Sequence, residues 1–109
     1  MYIYDQAHAL VKSIRESEEF KLVKKLQEKI DGNNELKQMF GDYRVKQIEL
    51  QRMQVMGLAV PDEKMQEFRS LHDIVIANST IKEFLDAEMR FVTIMADIQK
   101  IMVDGLGLN

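Results

Sequence analysis

Apolar residues along this chain recur in steps of three and four, broken at short intervals by caps and turn residues. The pattern predicts five helices and no strands. In the first, about residues 3–15, Ile3, Ala7, Leu10 and Ile14 share one face. The second opens at SEEF, with Ser17 as N-cap and Glu18 and Glu19 at the positive end of the helix dipole. Phe20, Val23, Leu26 or Gln27, and Ile30 form its inner side, and Asp31-Gly32 ends it, with Gly32 suited to a left-handed C′ position. The third starts at Asn33 or Asn34 and runs to about Met56, roughly 35 Å at ~1.5 Å per residue, where Gly57 closes it. LAVPD is a turn, and Pro61 introduces a fourth helix over about 62–77 with Asp62 and Glu63 in its first turn. ANST interrupts the pattern, Ser79 or Thr80 caps a fifth helix over about 80–103, and the tail DGLGLN, residues 104–109, is expected to fray.

The third helix carries two apolar sectors rather than one. Leu36, Met39, Phe40, Tyr43, Leu50 and Met53 fall on one side; Val45, Ile48, Val55 and Met56 fall nearly opposite. The fourth helix returns alongside with Met65, Phe68, Leu71, Val75 and Ile76. The fifth is broad, with Ile81, Phe84, Leu85, Val92, Met95 and Met102 on one side and Phe91, Ile94, Ile98 and Ile101 beside them. Short connections make successive helices antiparallel neighbours. The expected architecture is an all-α, five-helix antiparallel bundle in one domain, residues 1–109. The first, second and fifth helices and the start of the third form its body, and the third and fourth form a long protruding hairpin arm. An arm with a second apolar face is under-buried in a monomer, so a dimer is expected, its two arms packed by two-fold symmetry. Val45, Ile48, Leu50, Met53, Val55, Met56, Leu58, Met65 and Phe68 are the expected interaction surface. Gln47 and Gln54 lie on the line Leu36, Phe40, Tyr43, Gln47, Leu50, Gln54, where a polar residue either fixes register or is simply solvated. Met39, Met89, Met95 and Met102 are read as core, Met53 and Met56 as interface.

Composition narrows the function classes. At 46% hydrophobic and 30% charged, the chain has material for both a core and a charged surface. It has no cysteine, hence no disulfide, thiolate metal site or Cys nucleophile, in keeping with a reducing, cytoplasmic setting. MYIYDQAH has no basic start and no long apolar run, so no signal peptide and no membrane span are expected. Net charge is −3 overall, +1 over residues 1–57 and −4 over 58–109, which is not the footprint of a dedicated nucleic-acid binder.

Reactive chemistry is sparse. Asp5 and His8 have half of a helical metal motif, but no second copy follows, so no metal or other cofactor is expected. Glu88 interrupts an apolar line and needs a partner such as Arg44, Arg52 or His72; a register-fixing ion pair outranks a general acid or base. Glu88 and His72 are the expected buried polar residues, His72 as a packed rather than catalytic side chain. Lys21, Lys24, Lys25 and Lys29 share one side of the second helix, interleaved with Glu18 and Glu28. No catalytic residue is assigned.

Three segments, YDQAHALVKSIRESEEF at 4–20, QIELQRMQVMG at 47–57 and IKEFLDAEMRFVTIMADIQKIM at 81–102, resemble the YlbF/YmcA family of small helical bacterial proteins and, within it, the uncharacterised YheA-like branch, UPF0342. The resemblance implies an all-helical, cytoplasmic, self-associating protein without known enzymatic activity. YlbF and YmcA act with YaaT on competence, sporulation and biofilm formation, through the messages that RNase Y processes. YlbF also has a cysteine-bearing tail tied to iron–sulfur binding, which the cysteine-free sequence does not share. The expectation is a non-enzymatic interaction and regulatory factor, a homo-oligomer with protein partners in RNA processing. The alternatives are a direct RNA-binding module built on the second-helix lysines with Lys37 and Arg44, and an uncharacterised structural oligomer.

Overall fold

A computed structural model describes residues 2–107. Five helices follow one another: α1 Tyr2–Glu16, α2 Glu18–Asp31, α3 Asn34–Val55, α4 Asp62–Ile76 and α5 Ser79–Leu106. Local chemistry sets each boundary. The Ser17 hydroxyl accepts from the Phe20 N–H at 3.2 Å and donates to the Ile14 carbonyl at 2.6 Å, so one residue both ends α1 and caps α2. Asn33 caps α3 through the Leu36 N–H at 3.1 Å. Asn78 caps α5 through the Ile81 N–H at 3.1 Å. The sequence pattern placed that cap on Ser79 or Thr80; an Asn in extended conformation one residue earlier offers a better-placed acceptor, and Thr80 is buried instead.

Two helix ends differ from expectation. Gly32 stops α2 at φ −77°, an ordinary right-handed conformation, so its lack of a side chain is not what that turn requires. Gly57 does take φ +73°. There the Leu58 N–H reaches the Met53 carbonyl at 2.9 Å and the Gly57 N–H the Gln54 carbonyl at 3.1 Å, the paired bonds that close a helix at a left-handed residue. At the other end of the chain, α5 continues to Leu106, past the expected stop near residue 103, and Gly107 takes the left-handed position at φ +69°. Residues 108 and 109 of the expected tail lie outside the described residues.

The core sits where four helices meet. Leu26 and Ile30 of α2, Tyr43 of α3, Val75 of α4, and Ile81, Phe84 and Ala87 of α5 form one buried cluster, with Val23, Leu36, Met39, Phe40, Phe68, Leu71, Ile76 and Leu85 packed on it. Phe40 meets Phe84 edge-on at 5.3 Å, and Tyr43 stacks on Phe68 at 5.3 Å. Burial thins rapidly away from this junction. The molecule measures 50 × 37 × 19 Å, and its radius of gyration is 17.6 Å. A compact chain of this length would have about 13 Å.

The helix expected to complete the bundle does not. No residue of α1 is buried; its apolar side chains Ile3 and Val11 are more than half exposed, and Ile14 is partly covered. α1 turns away at Ser17 and packs on α2 near that junction, because the extended Ser17 backbone breaks the helix axis. Three methionines read as core are likewise on the surface. Met39 packs on the cluster, whereas Met89, Met95 and Met102 are exposed: Met89 lies on the outward side of the covered half of α5, and Met95 and Met102 lie beyond the stretch that α2 covers.

Candidate interaction surface

The α3–α4 hairpin divides the expected surface into two. Leu50 is buried, and Met53, Met65 and Phe68 are partly covered. Leu50 and Met53 share the α3 sector of Leu36 and Tyr43, and Met65 and Phe68 lie on α4, where Phe68 stacks on Tyr43, so these residues belong to the inner side of the arm rather than to its outward face. Val45, Ile48, Val55, Met56 and Leu58 remain exposed, Val55 at 87%. Along α3, Gly41, Val45, Ile48, Arg52 and Val55 follow one another at four-three-four-three spacing, the spacing of a helical seam. Val45, Ile48, Glu49 and Arg52 line a shallow groove on this outward face. The sequence contained this division: the two sectors of α3 are opposite, and only one can meet α4.

The arm is cross-braced. Nζ of Lys64 on α4 donates to Oε1 of Glu49 on α3 at 2.6 Å. This hydrogen bond and the adjacent charge hold the Glu49 carboxyl below the usual carboxylate range and the Lys64 ammonium above its ordinary value. Lys46, Glu49, Lys64, Glu67, Leu50 and Phe68 bound a concavity of about 110 Å³ between the helices. That is below the ~300 Å³ at which small-molecule pockets begin.

At the arm's base two polar links tie α3 to its neighbours. Arg44 forms an ion pair with Glu88 of α5, donates to Oε1 of Gln47 at 2.8 Å, and lies 4.7 Å over the Phe40 ring. Of the three partners the sequence offered Glu88, the structure selects Arg44. The pair is not fully buried: its side chains are 28% and 32% exposed, because the junction opens on that edge. Gln47 is therefore a bonded seam residue, whereas Gln54 is exposed. His72 is partly covered too, and its Nδ1 lies 3.0 Å from the Tyr43 hydroxyl. That contact was invisible in the sequence, since the two residues stand 29 apart and only the hairpin brings them together. Burial pushes the Tyr43 phenol above its ordinary value; Arg44 opposes the shift and Glu88 adds to it.

The remaining chemistry is dispersed. His8 and Asp5 lie on the exposed α1, and among the described residues no three His, Cys, Asp or Glu side chains gather as metal ligands. Lys21, Lys24, Lys25, Lys29 and Lys37 are exposed, with Lys21 4.0 Å from Glu18. Arg44, which an RNA-binding surface would have used, is engaged with Glu88. No described helix is long and apolar enough to cross a membrane.

These features define a small all-α protein, open in shape, with a braced helical hairpin. Residues 3–106 match the family described as "Control of competence regulator ComK, YlbF/YmcA", and the chain belongs to that family. A UPF0342 protein of Halothermothrix orenii is 40% identical over 109 residues, covering 100% of this chain and 92% of that protein. A UPF0342 protein of Caldicellulosiruptor bescii is 38% identical over 104 residues, 95% of this chain and 87% of its own length. These relatives' names carry a family number and no activity. A solved structure described as "Protein of Unknown Function (DUF964) from Bacillus stearothermophilus" superposes with a TM-score of 0.86 over 98% of this chain and 94% of that one, at 21% identity, and shares its fold.

Proposed function

We propose that the chain is a non-enzymatic interaction protein whose arm docks a partner helix on the outward face of α3. Its setting is the cytoplasm and its role the control of competence for which the YlbF/YmcA family is named, with partners among proteins that control competence or process RNA. The supporting observation is the exposed seam of Val45, Ile48, Val55 and Met56 with Leu58 beside it. Its exposed area is roughly 500 Å², the size of patch that on a small protein usually serves binding. Hydrophobic burial supplies affinity there. Arg52, in the middle of the seam, favours a partner helix with a carboxylate opposite it. The arm is rigid enough for the task because Leu50 and Phe68 pack inside it and Glu49–Lys64 braces it.

The test is affinity capture from the native bacterial extract with and without nuclease, comparing the natural chain with Met56→Glu. A carboxylate placed in a desolvated seam opposes docking without touching the core. The expected outcome is a defined protein partner that survives nuclease and is lost with Met56→Glu at unchanged helicity. Retention of every partner by the variant would refute the arm as the docking surface. Loss of capture on nuclease treatment would transfer the role to RNA.

A further inference from the structure

Gly41 breaks a local rule for which its own chain gives no reason. It stands in the interior of the 22-residue α3. The positive-φ glycines among the described residues are Gly57 and Gly107, so Gly41 has an ordinary helical backbone. A Cβ built on it would meet nothing within 4 Å. Glycine at such a position costs a helix about 1 kcal/mol relative to alanine. A local rule broken with no gain inside the fold marks a place used for something else.

Gly41 also opens the outward seam of the arm. Val45, Ile48, Arg52 and Val55 follow it, and all five are exposed. Gly41 to Val55 spans roughly 21 Å at ~1.5 Å per residue, the reach of a facing helix of about 15 residues. On such a seam a position without a side chain is a notch, where a facing helix comes closer than any other residue permits. The charges around the seam are mostly spoken for. Arg44 is held by Glu88, and Glu49 by Lys64. Lys37 and Asp42 flank the notch, and Arg52 alone lies on the seam itself, its guanidinium in no ion pair or hydrogen bond among the described residues.

We propose that the occupant of this face is one amphipathic helix of a different protein, which crosses closest at Gly41 and sets a carboxylate against Arg52. This occupant follows only if the arm is a docking surface, the reading given above. Charge complementarity selects the acid. A cation opposite Arg52 repels it, and an apolar residue leaves the guanidinium without a partner as the seam loses its water. Area argues against a second copy of this chain as a lasting occupant. The exposed patch of roughly 500 Å² gives about 1,000 Å² of buried surface in total when one helix lies on it, whereas an obligate homodimer buries ~2,000 Å² or more. A contact of that size forms and releases readily.

A displayed library of helical peptides of about 18 residues, randomised along one face and sorted on the full natural chain, tests this. The recovered peptides are then titrated against variants by fluorescence anisotropy. They are expected to carry apolar residues in three-four spacing with an aspartate or glutamate on the same face. Arg52→Glu is expected to weaken binding about tenfold or more, and a peptide whose acid is changed to lysine to recover it. Gly41→Leu, which fills the notch, is expected to weaken binding about tenfold or more at unchanged helicity. Gly41→Ala should raise the urea midpoint and still weaken binding several-fold, a combination that a merely structural glycine would not give. Peptides without an acid, or binding indifferent to Arg52→Glu and Gly41→Leu, overturn this partner; if Met56→Glu still abolishes binding, the docking face itself stands. Recovery of no peptide, or peptides that bind Met56→Glu as well as the natural chain, overturns both. Sedimentation of the chain alone covers the other occupant: an assembly heavier than 12.7 kDa whose mass falls in Gly41→Leu would put a second copy on this face and overturn the proposal.

Discussion

Val75 and Val55 are the same residue on the two helices of one hairpin, and the account predicts opposite behaviour for them. Val75 has no exposed surface and belongs to the four-helix core; Val55 is 87% exposed at the tip of α3. Replacing Val75 with Ala deletes two buried methyl groups, about 1.6 kcal/mol of transfer free energy at ~0.8 kcal/mol each. A residual cavity of roughly 45 Å³ adds about 1 kcal/mol at ~24 cal/mol per Å³. The expected loss is about 2.5 kcal/mol, a large share of the ~5–15 kcal/mol typical of a whole domain. In urea, followed by helical circular dichroism at one fixed protein concentration, it should lower the midpoint by about 1–2 M. Val55→Ala removes no packing, and Ala is the better helix former, so its stability should lie within about 0.5 kcal/mol of the natural chain. Equal losses for both variants would refute the reasoning. They would mean that the outward face of α3 is already packed in the isolated protein.

Two further tests concern backbone and protonation. Gly57→Ala should cost about 1 kcal/mol through the left-handed φ of +73°, with no clash, since nothing lies within 4 Å of the added Cβ; Gly41→Ala, mid-helix and equally open, should gain about 0.5–1 kcal/mol, both read from urea midpoints. Because burial raises the Tyr43 phenol above its unfolded value of 10.0, the unfolded chain releases that proton first as pH rises. Stability should therefore be level with respect to this group below pH 10 and decline above it, and Tyr43→Phe should remove that part of the decline, measured as melting temperature between pH 8 and 11.

Helix number, order and most boundaries were legible because they rest on local chemistry: Ser17, Asn33 and Gly57 act on backbone groups within a few residues of themselves. The pairing of α3 with α4 was legible because a short turn joins them, but Leu50, Met53, Met65 and Phe68, expected from the sequence as interaction surface, are buried or partly covered inside the arm. Arg44 could be named as a partner for Glu88 because a charge on an apolar line needs one. What the sequence did not disclose is which apolar faces the chain itself covers. Ile3, Leu10 and Ile14 repeat at the spacing of core residues, as do Met95 and Met102, yet all five lie away from the buried cluster. Periodicity reports that a face is made for another helix, and carries no mark of whether that helix lies in the same chain. The Tyr43–His72 contact was hidden for a related reason, since it depends on the closing angle of the hairpin rather than on any spacing.

The most direct test of the central claim is methionine footprinting of Met56 in the purified protein and in intact native cells, with Met89 as an internal reference. Both side chains are about two-thirds exposed, Met56 on the outward face of the arm and Met89 on the first half of α5. The account predicts that both oxidise readily in the purified protein, and that in cells Met56 is protected several-fold relative to Met89. Equal oxidation of the two in cells would contradict a docked arm and leave the outward face of α3 without a partner.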